Sequence, residues 1–240
     1  YRVVRTDGDL RWIESKGRVH RDDAGRPVRM VGALFDVTAR KTAEVANVAA
    51  EVALRRANRA LRTLRHANHA LARAACADEL YRDMCRVIVE QGGYRLAWIG
   101  RANHDAVASV ELVAHAGGAG DFLQRPISWR DDDSGRGPTG TAIRTGQPSV
   151  ITDSASDPRV APWREQALAL QFMSALALPL WLDGAVFGSL TIYAAEPDAF
   201  GAEEIELFEE LGRDIAFGVV TLRERERRER AEQSGAAGQA

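Results

Sequence analysis

The stretch SALALPLWLDGAVFGSLTIYAA, residues 174–195, decides the fold of the larger part of this chain. It holds two runs in which bulky apolar residues alternate with other residues, the period of a β-strand whose successive side chains point to opposite faces. Asp183-Gly184 separates the runs, and this dipeptide favours the tight turn of an antiparallel hairpin. One face of the hairpin carries the aliphatic residues Leu176, Leu178, Leu180, Leu182, Leu190 and Ile192. We predict that this face packs on helices.

The segments on either side extend the hairpin into an α+β domain. A final helix is predicted over residues 202–232, because apolar residues recur along it at the spacing of one helix face. Beyond residue 222 it carries only charge, and the residues from 233 onward are expected to form a flexible tail. Three further strands are predicted within residues 95–102, 109–116 and 148–153, and two short helices within residues 137–146 and 161–171.

A long helix is predicted upstream, over residues 39–91, where neither Gly nor Pro occurs. Apolar residues step along it by three and four in alternation, which is the heptad period of a coiled coil. Asn68 at a seam position would fix register and strand number at a cost in stability. Arg55, Arg56, Arg59, Arg62 and Arg65 flank the seam and are interpreted as a solvated face. The predicted dimer seam consists of Leu54, Leu61, Leu64, Asn68 and Leu71.

Residues 1–37 are predicted to form three β-strands joined by turns at Asp7-Gly8 and at residues 22–27. Three strands alone expose too much apolar surface to form a stable domain. We therefore expect a fragment of a longer protein, with further domains outside this segment. The stretch GALFDVTARKTAE, residues 32–44, joins the last of these strands directly to the long helix.

Composition narrows the classes of function. The formal net charge is −2, which gives no electrostatic argument for binding nucleic acid. No apolar run is long enough to span a membrane, and direct membrane contact is not expected. The two cysteines, Cys76 and Cys85, are too few for a disulfide framework, so a cytoplasmic location is predicted.

Two stretches resemble known families. Residues 12–44, WIESKGRVHRDDAGRPVRMVGALFDVTARKTAE, resemble the C-terminal motif of a PAS domain, and Asp36 and Thr38 match its signal-exit position. Either residue can also serve only as a cap of the following helix. Residues 70–232 resemble a GAF domain in four segments in the right order, at 80–102, 135–153, 174–200 and 203–219.

The resemblance implies a domain plan and a context. The plan has the C-terminal part of a PAS domain at 1–38, a coiled-coil linker at 39–75, a GAF domain with an antiparallel sheet of about six strands at 76–222, and a charged helical extension with a flexible tail at 223–240. Such segments occur in bacterial sensory proteins whose outputs include diguanylate cyclases, phosphodiesterases and histidine kinases. It also implies a homodimer through the linker and terminal helices.

A ligand pocket is expected on the hairpin face opposite the leucines, which in GAF domains is the ligand side. Small and mixed-polarity residues there suit a pocket. Bulky residues such as Trp129 and Phe172 can equally fill it. The ligand and any cofactor are unknown, and cyclic nucleotides are disfavoured because the Asn-Lys pair of that subset is absent. The candidate ligand residues are Trp129, Thr139, Thr141, Met173, Ala175, Thr191 and Tyr193.

The sequence motifs that could indicate a catalytic site are incomplete. GRGPTG, residues 135–140, has the glycine spacing of a phosphate loop, but Thr141 stands where Lys is required. The acidic run at 131–133 is interpreted as a solvated loop rather than a cation site. We predict no metal site and no enzyme here. The leading hypothesis is a ligand sensor that passes its state along helices. The alternative is a ligand-free dimerisation and spacer module.

Overall fold

The computed structural model describes residues 1–237 of the chain, with the side chains of 231 and 233–237 excepted. The chain divides into two units, Tyr1–Arg55 and Arg56–Ala240. Residues 238–240, the end of the predicted flexible tail, lie outside the described residues. No helix within the described part is long and apolar enough to cross a membrane.

The first unit begins with a three-stranded antiparallel sheet, as predicted. Its strands are β1 (Arg2–Val4), β2 (Leu10–Arg21) and β3 (Pro27–Asp36), in the order β1-β2-β3. Gly8 has a φ of 85° and closes the first turn, a conformation that glycine adopts without steric cost. Only Val37 separates β3 from helix α1, which spans Thr38–Arg73.

The second unit is an α+β domain with one antiparallel sheet. Its strands are β4 (Leu96–Ala102), β5 (Val110–Gly117), β6 (Ser149–Ile151), β7 (Ser174–Leu182) and β8 (Ala185–Ala194). Their order is β5-β4-β8-β7-β6. The described sheet thus has five strands where about six were expected, because the chain between β5 and residue 138 forms a short 3-10 turn and a loop. Its helices are α2 (Ala77–Glu90), α3 (Pro138–Thr145), α4 (Arg164–Ala169) and α5 (Ala202–Ala237).

The prediction of which face of the β7–β8 hairpin packs on the helices is confirmed. Leu176, Leu178 and Ile192 lie in one core cluster with buried residues of α2 and α5. Ala175 and Tyr193, from the opposite face, belong to a second cluster. The predicted stripe of α5 is also buried, including Phe208, Leu211, Ile215, Val219 and Leu222.

The helical segment upstream differs from the prediction in two ways. It is interrupted at residues 74–76 rather than continuous to 91, because Cys76 is extended and the Ala75 N–H donates to the Glu79 carboxylate instead of a helical carbonyl, at 2.7 Å. The second half of α1 also buries a face of small residues in the second unit. These residues are Ala60, Thr63, Ala67 and Ala70.

The predicted dimer seam divides between two environments. Leu54 and Leu61 are 63% and 53% exposed, and Asn68 is exposed as well. Leu64 and Leu71 instead pack partly against the core of their own unit. Those two leucines are therefore only in part available to a second chain, because the face of α1 that they flank is already covered.

The C-terminal helix is longer than predicted. We expected a flexible tail from residue 233, but α5 continues to Ala237. The acidic and basic residues of its exposed end form pairs one turn apart, such as Arg225 with Glu229 at 2.8 Å. Pairs at this spacing support a helix that has no core to pack against.

Candidate functional site

A small cavity lies on the expected face of the sheet. Thr139, Ala175 and Tyr193 from the predicted set line it, beside Trp163 and Phe122. Its volume is about 30 Å³, which accommodates water, since one molecule needs roughly 10–15 Å³. Pockets for small organic ligands measure roughly 300–1,000 Å³. In this conformation the site is filled by protein side chains.

An aromatic cluster lies beside the cavity, and two of its members, Phe122 and Tyr193, line it. The rings of Phe172 and Tyr193 stack with centroids 4.8 Å apart, and Phe122 meets both edge-on at 5.2 and 5.4 Å. Burial raises the pKa of the Tyr193 hydroxyl well above its usual value, so it stays protonated. Sequence reasoning anticipated Phe172 but missed Phe122 and Trp163, which lie in segments without a strand period.

Thr191 does not line the cavity, because it is fully buried and bonded to the helix above the sheet. Its hydroxyl lies 2.8 Å from that of Thr139 in α3 and 3.4 Å from that of Ser189. The pair of threonines therefore fastens α3 to β8. Of these two threonines, only Thr139 lines the cavity.

We expect Thr191→Val to lower the free energy of unfolding by about 1–3 kcal/mol, because it leaves the buried Thr139 hydroxyl without its partner. Replacing both threonines with valine should cost less than the sum of the two single changes, since the pair is then removed together. Urea unfolding of the two single variants and the double variant measures this. Additive costs would show that the two hydroxyls do not interact.

The other predicted pocket residues lie elsewhere. Trp129 donates its indole N–H to the Asn103 carbonyl at 3.0 Å and borders a separate surface groove with Trp181. Thr141 donates its hydroxyl to the Arg136 carbonyl at 3.1 Å. Met173 is half-buried, outside the cavity lining. Trp129 and Thr141, two of the predicted ligand residues, therefore lie outside the lining of this cavity.

Hydrogen bonds made by two charged side chains, Arg144 and Asp132, fix the loop before α3. Arg144 reaches back from α3 and donates to the carbonyls of Arg130 and Gly135 at 3.0 and 3.1 Å. Asp132 accepts from the Ser134 hydroxyl at 2.7 Å, and hydrogen bonds from Ser134 and Gly135 lower its pKa. Within the described residues, no cluster of three or more His, Cys, Asp or Glu side chains could hold a metal ion.

The joint at the start of α1 is a second candidate site, in the first unit. The Thr38 hydroxyl accepts from the Trp12 N–H of β2 at 2.8 Å, rather than capping the helix as expected. The Asp36 carboxylate accepts from the Thr38 N–H at 2.9 Å, and hydrogen bonds from Thr38 lower the pKa of Asp36. Asp36 thus satisfies the free N–H, while Thr38 ties the helix to the sheet.

The cysteines do not lie at the cavity. Cys85 is fully buried in the helix-side core cluster, and burial raises its pKa to about 12. Cys76 is half-buried immediately before α2. Because the thiolate is the reactive form of cysteine, neither residue supplies a nucleophile to the cavity.

Comparison with family models matches both parts of the chain. A model described as GAF domain matches residues 74–220, and one described as PAS fold matches residues 1–34. No curated protein matches the chain.

Solved structures with a similar fold come from several bacteria. The free methionine-R-sulfoxide reductase from Neisseria meningitidis, in complex with its substrate, is 18% identical, with a TM-score of 0.58 over 73% of this chain and 93% of that one. The GAF domain of a phosphoenolpyruvate-protein phosphotransferase from Coxiella burnetii is 18% identical, with a TM-score of 0.58 over 70% and 97%. The A. aeolicus nlh2 GAF domain in an inactive state is 17% identical, with a TM-score of 0.51 over 72% and 99%. At these identities the likeness establishes the fold alone.

Proposed function

Because the chain belongs to the GAF domain family and carries part of a PAS fold before it, we propose that it relays a signal along its helices. In this proposal α1 brings a change of state from the PAS part to the GAF domain, and α5 passes it onward. Related GAF domains act as regulatory and sensory parts of signalling proteins.

The observation that carries the proposal is the course of α1. It is one helix from Thr38 to Arg73, starting at the joint with Asp36 and ending with Ala67 and Ala70 buried in the GAF core. A helix with an unbroken hydrogen-bond ladder transmits displacement along its axis better than a loop. In this proposal, a displacement at the joint reaches the core of the GAF domain through α1.

We favour a relay without a resident ligand, since the cavity of about 30 Å³ is too small for one. The second candidate is a sensor whose aromatic residues move aside. Its support is the lining chemistry: mostly apolar residues with the hydroxyl groups of Ser134, Thr139 and Ser154, a mixture typical of ligand sites.

Native mass spectrometry of the purified chain separates these two functions. The relay without a ligand predicts the bare polypeptide mass from cells grown in several media, because no space is left for a guest. A bound molecule that survives desalting, and that Ala175→Trp removes while the fold is retained, would instead establish the sensor.

Reductase chemistry gains no support from this site. The similar Neisseria protein is named a free methionine-R-sulfoxide reductase. Here neither Cys76 nor Cys85 lies at the cavity lining. A thiol-based reduction at the cavity would need a cysteine there.

The assembly and its setting form part of the proposal. We infer a homodimer through α1 and α5, a cytoplasmic location, and an output such as a diguanylate cyclase or histidine kinase that lies outside this segment. The dimer is supported by the exposed Leu54 and Leu61 on α1, and the output rests on the family resemblance alone.

The relay is tested at the joint in the full-length protein. We expect Asp36→Ala to change basal output several-fold while the melting temperature barely moves, because a two-state element responds strongly to a small bias. The control is Asp23→Ala, an exposed acid in the same unit. Equal output from Asp36→Ala and wild type, with and without the stimulus, would leave the joint as a passive connector.

A further inference from the structure

The arginines of α1 are not all solvated, contrary to the interpretation of their charge run. Arg59 is 19% exposed at its side chain and forms an ion pair with Glu196. Its guanidinium carbon lies 4.4 Å from the centre of the Tyr94 ring. One turn earlier, Arg56 lies 3.8 Å from Asp198. These contacts place two arginines of α1 against one short segment of the GAF domain.

That segment, residues 195–201, connects the end of β8 to the start of α5. Glu196 and Asp198 belong to it, and the Ala199 carbonyl lies 3.5 Å from an Arg59 guanidinium nitrogen. The carboxylate of Glu204, in the first turn of α5, accepts from the Gly201 N–H at 3.0 Å. Arg59, a residue of the incoming helix α1, therefore contacts the segment that leads into the outgoing helix α5.

Aromatic packing extends the contact into α5 itself. Tyr94, beneath the Arg59 guanidinium, stacks on Phe200 with centroids 5.6 Å apart and meets Phe208 of α5 edge-on at 5.5 Å. A guanidinium over an aromatic face adds attraction when it is shielded from water. The chain of contacts from α1 to α5 thus runs through Arg59, Tyr94 and Phe208.

The cluster of Arg59, Tyr94 and Glu196 contains polar atoms whose capacity for hydrogen bonds is not used. Among the described residues, the Arg59 Nε and the Tyr94 hydroxyl are both buried without a hydrogen-bond partner, and buried polar atoms in native proteins rarely remain so. Each buried polar group without a partner lowers the stability of the contact between Arg59 and Tyr94. The cluster joins α1 to the start of α5 through an ion pair, a cation–π contact and aromatic packing.

We propose that Arg59 is the coupling residue of the relay, holding α1 to the start of α5 so that a change at either helix loosens the other. This inference rests on the proposed relay function. Thermodynamic linkage requires the effect to be reciprocal. A change on the α1 side must be felt in α5, and a change on the connecting segment must be felt in α1.

Hydrogen exchange of the 240-residue chain, read by mass spectrometry, tests this reciprocity. In Arg59→Gln we expect amides in residues 202–212 of α5 to exchange about tenfold faster, because local opening becomes easier. In Glu196→Gln we expect the same acceleration in residues 56–73 of α1. Exchange in β7 and β8 should stay unchanged in both variants.

Arg62→Gln is the matched control, because Arg62 is an exposed arginine one turn further along α1, and it should leave both segments unaffected. If Arg59→Gln does not fold, Arg59→Lys takes its place, since lysine keeps the charge but loses the planar stacking group.

The proposal would be overturned if amide exchange in Arg59→Gln became faster only in α1. Equally fast exchange in Arg62→Gln would overturn it as well. The result is independent of the output measurement. Normal exchange in Arg59→Gln with an altered output in Asp36→Ala would reject Arg59 as the coupling residue and leave the relay standing. Reciprocal exchange with an unchanged output would reject the relay and leave the contact as a structural clamp.

Discussion

Replacing Gly140 with alanine is expected to destabilise the GAF domain by about 3 kcal/mol, at the upper end of what overpacking usually costs. A Cβ at this position would lie 2.3 Å from the Gly135 carbonyl oxygen and 2.4 Å from that of Ser128. Both are backbone atoms, so no side-chain rotation relieves the clash. Either α3 or the loop before it must move.

Equilibrium unfolding in urea measures the loss, with Gly118→Ala as the control. A Cβ at Gly118 would meet nothing within 4 Å, and its φ is not in the left-handed region, so this variant should be as stable as wild type. A Gly140→Ala protein of wild-type stability would mean that α3 lies further from the loop than these distances imply.

The same contacts explain the glycines of GRGPTG without a phosphate. Gly135 and Gly140 are each pressed against backbone, and a Cβ at Gly135 would lie 2.0 Å from the Arg130 carbonyl oxygen. Close approach of two chain segments is a common reason for glycine. The spacing that resembles a phosphate loop is therefore accounted for by packing.

We expect the wild-type chain to be a dimer at micromolar concentration and the double variant Leu54→Asp, Leu61→Asp to be a monomer. Burying each leucine is worth about 1.5–3 kcal/mol, and aspartate in its place would bring a charge into an apolar seam. Association should therefore weaken by at least about a hundredfold. Sedimentation velocity over a concentration series measures it.

Leu64 is left unchanged because it packs partly against its own GAF core, where aspartate would damage the fold. Val107→Asp is the control, since Val107 is 58% exposed and lies far along the chain from α1. A wild-type chain that sediments as a monomer at these concentrations would reject the dimer, and a dimeric double variant would place the interface elsewhere.

Local patterns predicted the elements of this fold well. Alternation in β7 and β8 gave the correct inner face, because one buried face fixes strand parity. The stripe of α5 was equally clear, since Phe208, Leu211 and Ile215 recur at helical spacing. Both are properties of neighbouring residues, which a sequence displays directly.

The packing of α1 was not predictable in the same way. Its leucines form the stronger periodic pattern and drew attention to a seam, whereas the face that is buried consists of Ala60, Thr63, Ala67 and Ala70. Alanine is nearly neutral in a hydrophobic pattern, so its burial depends on the shape of the opposing surface. The pairing of Arg59 with Glu196 spans residues far apart in sequence and has no local signal.

The candidate site was also predictable only in its local features. The side of the sheet that carries the cavity followed from parity, but Trp129 and Thr141 lie outside its lining, because loop residues are positioned by distant partners. The Trp129 indole, for example, is held by the Asn103 carbonyl. How far the site is filled depends on Phe122 and Trp163, whose neighbours only the folded chain reveals.

The alanine face of α1 affects how easily this helix can slide against its neighbours. Leucine knobs interlock and must change rotamer when one helix slides over another, whereas alanine has no side-chain rotamers to lose or rearrange. A face built from Ala60, Ala67 and Ala70 therefore offers little resistance to a small shift of the helix. We therefore expect α1 to shift or turn slightly with little repacking, and its resting position to depend on polar contacts such as that of Arg59 with Glu196.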